Sequence, residues 1–84
     1  MRKIPVHLQP GLLRYFGSGI RTGGFLQVCL ENNIPEAQNR AADPGARNAI
    51  PNILEYFENC ADSESWGSPE KVEAWIEKGG KEGL

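Results

Sequence analysis

The sequence predicts an all-α fold, a compact bundle of four to five short helices. Three observations carry that expectation. Ile50, Ile53, Leu54 and Phe57 recur at i, i+3, i+4 and i+7, which places them on one face of a helix. No five-residue alternation rich in Val, Ile or Thr occurs anywhere, so strands are not expected. Ten glycines and six prolines in 84 residues impose several short elements with sharp breaks rather than two or three long ones.

Each element follows from its own signals. Leu8, Leu12, Leu13, Tyr15 and Phe16 have helical spacing, Pro10 suits a first turn, and Gly17 closes the run, which predicts a helix over 9–16. Residues 17–24 form a glycine-rich loop, with Thr22 as the expected N-cap of a second helix carrying Phe25, Leu26, Val28, Cys29 and Leu30. Asn32-Asn33 ends that helix. Ile34-Pro35-Glu36 restarts a short one with Ala37 and Ala41 inward. Asp43-Pro44 is the clearest start signal, a capping side chain followed by a proline preset for the first helical position. Pro51 cannot donate its N–H, and a break is expected just before it. Ser68-Pro69-Glu70 repeats the cap-then-proline arrangement, Val72, Trp75 and Ile76 form the inward stripe, and Gly79-Gly80 stops the last helix.

The expected organisation is one helical domain over 1–78 and a flexible Gly/Lys tail over 79–84. A chain this short cannot support two cores. Phe16, Phe25, Phe57, Trp66 and Trp75 are the expected interior aromatics. Short helices are marginal in isolation, so they must pack on one another or on a second copy, and a homo-oligomer is expected.

Composition excludes several classes. With 39% hydrophobic and 24% charged residues the chain is too apolar for disorder. No window approaches the roughly 18 consecutive apolar residues of a membrane span. Met1-Arg2-Lys3-Ile4-Pro5 opens basic with no hydrophobic region behind it and does not read as a signal peptide. Cys29 and Cys60 lie in apolar helical patterns and are expected as thiols. A cytoplasmic protein is the expectation.

The net charge of −2 hides an asymmetry. Residues 1–42 carry five Lys/Arg against two Glu, a balance of +3, and residues 43–84 carry four against nine acidic residues, a balance of −5. A dipolar chain of this kind can dock its basic part on an anion, or the two parts can neutralise each other within one fold. Five basic residues scattered over the first half make no stripe, so binding to polymeric nucleic acid is disfavoured.

Catalytic signatures are missing. His7 has no acidic neighbour in sequence, and two cysteines with one histidine make no recognisable ligand spacing, so neither an enzyme nor a metal or cofactor is expected. Glu70, Glu73 and Glu77 read as a solvated helix face. Two segments can bind a ligand. In the first, Gly23 and Gly24 let a backbone approach an anion while Arg21 and Thr22 supply donors; the competing reading is a tight helix–helix connection. In the second, Trp66 can stack on a flat ring with Ser68 and Lys71 serving polar atoms, or it can pack back on the helix it precedes.

Ile4-Pro5, Gly11-Leu12, Arg14-Tyr15, Gly19-Ile20, Gly23-Gly24-Phe25-Leu26, Glu36-Ala37, Arg40-Ala41 and Trp66-Gly67-Ser68-Pro69-Glu70-Lys71-Val72 together resemble a family of short phage and prophage accessory proteins. The resemblance spans nearly the whole chain, and the chain departs from it at Pro44-Gly45 and Pro51. It implies a compact accessory protein acting in the cytoplasm of an infected bacterium. Small phage proteins of this class often antagonise host defence, some as sponges for a nucleotide signal, others by covering a nuclease surface as anti-CRISPR proteins do. The expected function is therefore sequestration of a nucleotide-type ligand by Arg21, Thr22, Gly23, Gly24, Trp66, Ser68 and Lys71. The alternative is a host-protein inhibitor acting through acidic helix faces.

Overall fold

Three side-chain caps and two left-handed glycines set half of the ends of the five α-helices. The computed structural model describes residues 4–41 and 43–82; the basic opening Arg2-Lys3 and the last two residues of the expected tail lie outside them. A 3-10 turn over Val6–Leu8 leads into α1 (Gln9–Ser18), followed by α2 (Gly24–Leu30), α3 (Ile34–Arg40), α4 (Pro44–Cys60) and α5 (Pro69–Lys78). No strand occurs among the described residues. The fold is all-helical, as predicted, and its radius of gyration of 11.7 Å equals that of a folded globule this long, about 12 Å.

Asn33, Asp43 and Ser68 each accept a hydrogen bond from the backbone N–H three residues on, at 3.4, 2.7 and 3.2 Å, and so start α3, α4 and α5. Proline stands in the first turn of all three. Gly19, at φ +70°, and Gly79, at φ +90°, close α1 and α5 in the left-handed region that suits glycine.

Four local expectations are corrected. The first helix ends at Ser18 rather than Phe16, because Gly19 and not Gly17 takes the left-handed turn. Thr22 does not cap α2; its hydroxyl donates to the Gly23 carbonyl at 3.2 Å, and Gly23 occupies the cap position without a side-chain bond. Leu13, assigned to the apolar set of the first helix, is 60% exposed. The break expected before Pro51 is absent, and α4 runs unbroken through it. A proline there strips the Arg47 carbonyl of its helical donor. Both residues are exposed, so that carbonyl is open to water.

The core is assembled around Tyr15. Its ring is fully buried beside Leu12, Leu30, Ile53, Phe57 and Val72. Phe57 and Trp75 are buried as expected, whereas Phe16, Phe25 and Trp66 are half-buried against them. The rings of Phe16 and Trp66 lie 5.7 and 5.4 Å from that of Phe57, within the range where aromatic pairs attract. The Tyr15 hydroxyl donates to the Ser65 carbonyl at 2.6 Å, the Trp75 indole N–H donates to the Tyr15 carbonyl at 2.9 Å, and the Ser65 hydroxyl donates to the Asp62 carbonyl at 2.7 Å. No buried side-chain polar atom among the described residues lacks a partner.

Residues 79–82, expected in a flexible tail, instead form the stop of α5 and a second 3-10 turn, Gly80–Glu82, docked on the end of α1. The docking is backbone against backbone. A Cβ built on Gly19 would lie 2.6 Å from the Gly80 nitrogen, and one built on Gly80 would strike the Gly19 nitrogen and the Gly17 carbonyl. Two glycines facing each other are what permit such an approach.

Two predictions follow from this packing. Gly19→Ala and Gly80→Ala each combine a left-handed backbone with a steric clash and should cost more than about 1 kcal/mol in urea unfolding. Gly23→Ala, at φ −68° with nothing within 4 Å, should unfold within about 0.5 kcal/mol of the wild type. The second concerns pH. Burial pushes the Cys29 thiol from 9.0 up to about 12. Burial, then the Glu73 and Glu31 carboxylates, lift the Tyr15 phenol well above its ordinary 10.0. Both groups hold their protons more tightly when folded. Their contribution is therefore intact below pH 9 and is lost as pH rises, by up to about 1.4 kcal/mol per unit for each group. Stability should begin falling near pH 9 in the wild type, and Cys29→Ala should delay that onset by about one unit, toward the Tyr15 range.

Candidate functional site

The residues expected to bind a ligand fall into two blocks at opposite ends of α2. Gly23 and Gly24 begin that helix. The Gly67 N–H donates to the carbonyl of Leu30, its last residue, at 2.7 Å. Seven residues at 1.5 Å each set the blocks about 10 Å apart. Arg21 nonetheless reaches across to α5, the helix that Ser68 caps and Lys71 belongs to.

Most of these side chains are engaged within the fold. The Arg21 guanidinium forms a two-pronged ion pair with Glu73 of α5 at 2.8 and 2.9 Å, both groups about half exposed. That fork is the geometry a phosphate would require. Glu73 holds Arg21 firmly protonated, and Arg21 in turn keeps the Glu73 carboxyl below its ordinary range through the hydrogen bond and the opposite charge. Thr22 is turned onto Gly23, Ser68 caps α5, and the Lys71 side chain lies back along the backbone of Gly67. Trp66 packs against the core, its ring 5.4 Å from that of Phe57 of α4.

Gly23 and Gly24 line a cleft of about 340 Å³ between α1 and the start of α2. Gly11 of α1 stands opposite Leu26, and a Cβ there would meet the Leu26 methyl at an ordinary contact distance of 3.6 Å. His7 of the 3-10 turn and Gly11 and Arg14 of α1, at i, i+4 and i+7 in the chain, line this cleft. Leu8, Phe25 and Leu26 form its apolar wall. None of the lining residues is acidic. Arg40 stands beside Gly24: one terminal nitrogen lies 3.0 Å from a Cβ built on Gly24, while its Nε donates to Glu36 at 3.0 Å. The Arg14 side chain makes no hydrogen bond or ion pair among the described residues, in contrast to those of Arg21 and Arg40.

The cleft thus joins a free guanidinium, an imidazole and an apolar wall bearing one half-buried aromatic ring. This set can hold an anionic group with a ring attached. Sequence reading missed His7, Arg14 and Arg40. The spacing of His7, Gly11 and Arg14 is a signal available in the chain; Arg40 is separated from Gly24 by sixteen positions and carries none. Among the described residues no three His, Cys, Asp or Glu side chains gather as metal ligands, and no helix is long and apolar enough to cross a membrane.

Comparison with family models, curated proteins and solved structures finds no match to this chain.

The ion pair is the testable element here. Arg21→Ala should lower the melting temperature slightly at low salt and not at all in concentrated salt, as expected for a solvent-exposed pair. Glu73→Gln should behave alike. Because the folded Glu73 carboxyl is depressed, the pair's contribution should be present above the ordinary carboxylate range and vanish as pH falls through the folded value.

Proposed function

We propose that this protein works by occupancy: it is a non-enzymatic binder that takes up a nucleotide-type ligand in the α1–α2 cleft and withholds it from other receptors. The supporting observation is the cleft itself, where unpaired Arg14 and His7 face the apolar wall of Leu8, Phe25 and Leu26 with no carboxylate among them. Its volume of about 340 Å³ lies at the small end of ligand sites, which run from about 300 to 1,000 Å³. A mononucleotide-sized group suits one cleft, and a dinucleotide signal would need two copies of the chain acting together. The resemblance to phage accessory proteins supplies the setting, in which the ligand is a defence signal of the infected host and the binder blunts it.

The experiment is calorimetry and thermal shift with adenosine nucleotides, cyclic dinucleotides and adenosine-diphosphate-ribose derivatives. A ligand at about 100 times Kd should add about 2.7 kcal/mol of stability. Arg14→Ala should weaken that binding at least tenfold, whereas Arg21→Ala, already committed to Glu73, should change it less than threefold. No response to any of these compounds would remove the reading. Native mass spectrometry of protein purified from an infected host reports copy number and retained ligand together.

A second reading has its own support. Glu64 and Glu70 line one shallow depression together with Lys71 and Ala74, and Glu55, Glu58 and Asp62 are also exposed, none of these carboxylates in an ion pair among the described residues. A host protein with a basic groove suits that surface, and its stoichiometric, salt-sensitive capture with no nucleotide binding would favour the inhibitor reading.

A further inference from the structure

We infer that the α1–α2 cleft selects a terminal phosphate monoester over a cyclic phosphodiester, so that its ligand is a nucleoside monophosphate or a molecule ending in one; this rests on the occupancy reading above. The argument is one of charge and access. Arg14 belongs to α1 and Arg40 to α3; Arg14 lines the cleft, and Arg40 stands beside Gly24, one of its lining residues. A terminal phosphate offers three acceptor oxygens and carries a charge of about −1.5 to −2 at neutral pH. It can accept a guanidinium fork from one side and a second donor from another. A cyclic phosphodiester carries a single charge, and its two bridging oxygens are tied into the ring, leaving two oxygens for both guanidinium groups. The lining carries no carboxylate to repel the extra negative charge of the monoester. Glu36 bonds the Nε of Arg40, and that contact leaves the terminal nitrogen at Gly24 outside the ion pair. The apolar wall accounts for the rest of the ligand. Leu8, Phe25 and Leu26 can cover one face of a base, so phosphate alone is the weaker ligand.

The test is calorimetric titration at fixed salt of adenosine 5′-monophosphate, adenosine 3′,5′-cyclic monophosphate, adenosine and inorganic phosphate. The wild type should bind the monophosphate at least tenfold tighter than the cyclic ester and tighter than either fragment. Arg14→Ala and Arg40→Ala should each narrow that gap to threefold or less while leaving the helical circular dichroism unchanged, since both side chains lie on the surface. Equal or tighter binding of the cyclic ester overturns the selectivity and leaves the occupancy reading standing. Inorganic phosphate binding as tightly as the monophosphate overturns the role of the apolar wall. Failure of all four probes, and of the wider nucleotide panel above, overturns both readings together.

Discussion

Tyr15 is the residue on which the rest of the architecture depends. Its side chain reaches across the core to the Ser65 carbonyl, fifty residues on, and its own carbonyl receives the Trp75 indole N–H, sixty residues on. The same carbonyl accepts the Gly19 N–H at the end of α1. One residue thereby joins the first helix, the loop before the last helix, and the last helix itself. A small core has little apolar area with which to fix the relative placement of five helices. Directional bonds between buried groups supply that registration, because any other arrangement would leave those donors and acceptors without partners.

That registration explains why the C-terminal turn is ordered. Trp75 pulls α5 onto α1, and the left-handed Gly79 then turns the chain so that Gly80 meets Gly19. Glycine pairs in sequence read as a stop and a tail. Here they serve as a contact, because only backbone without side chains can come so close. The distinction was illegible in the sequence, since it turns on what stands opposite the glycine and not on the glycine.

Where the chain encodes its structure locally, it was readable. Asp43-Pro44 and Ser68-Pro69 signal helix starts through a cap and a preset φ, both properties of adjacent residues, and both start helices here. Pro51 misled for the opposite reason. Its cost depends on whether the orphaned carbonyl is wet or dry, which is a tertiary fact. The candidate site divides the same way. Gly23 and Gly24 were legible as a place for close backbone approach, while Arg21 looked free only because its partner Glu73 lies fifty-two positions away. The two guanidinium groups at and beside the cleft, Arg14 and Arg40, come from separate helices, and only packing brings them together.

The two cysteines differ in a way that equips the molecule for observation. Cys29 is sealed in the core, and Cys60 stands exposed as the final residue of α4. A thiol-directed fluorophore would therefore meet one accessible sulfur in the folded state. Its attachment point lies on a different helix from every residue that lines the α1–α2 cleft. The native chain thus offers a single, ready-made tether for a reporter, and ligand uptake or pairing of copies can be followed by light without altering a residue.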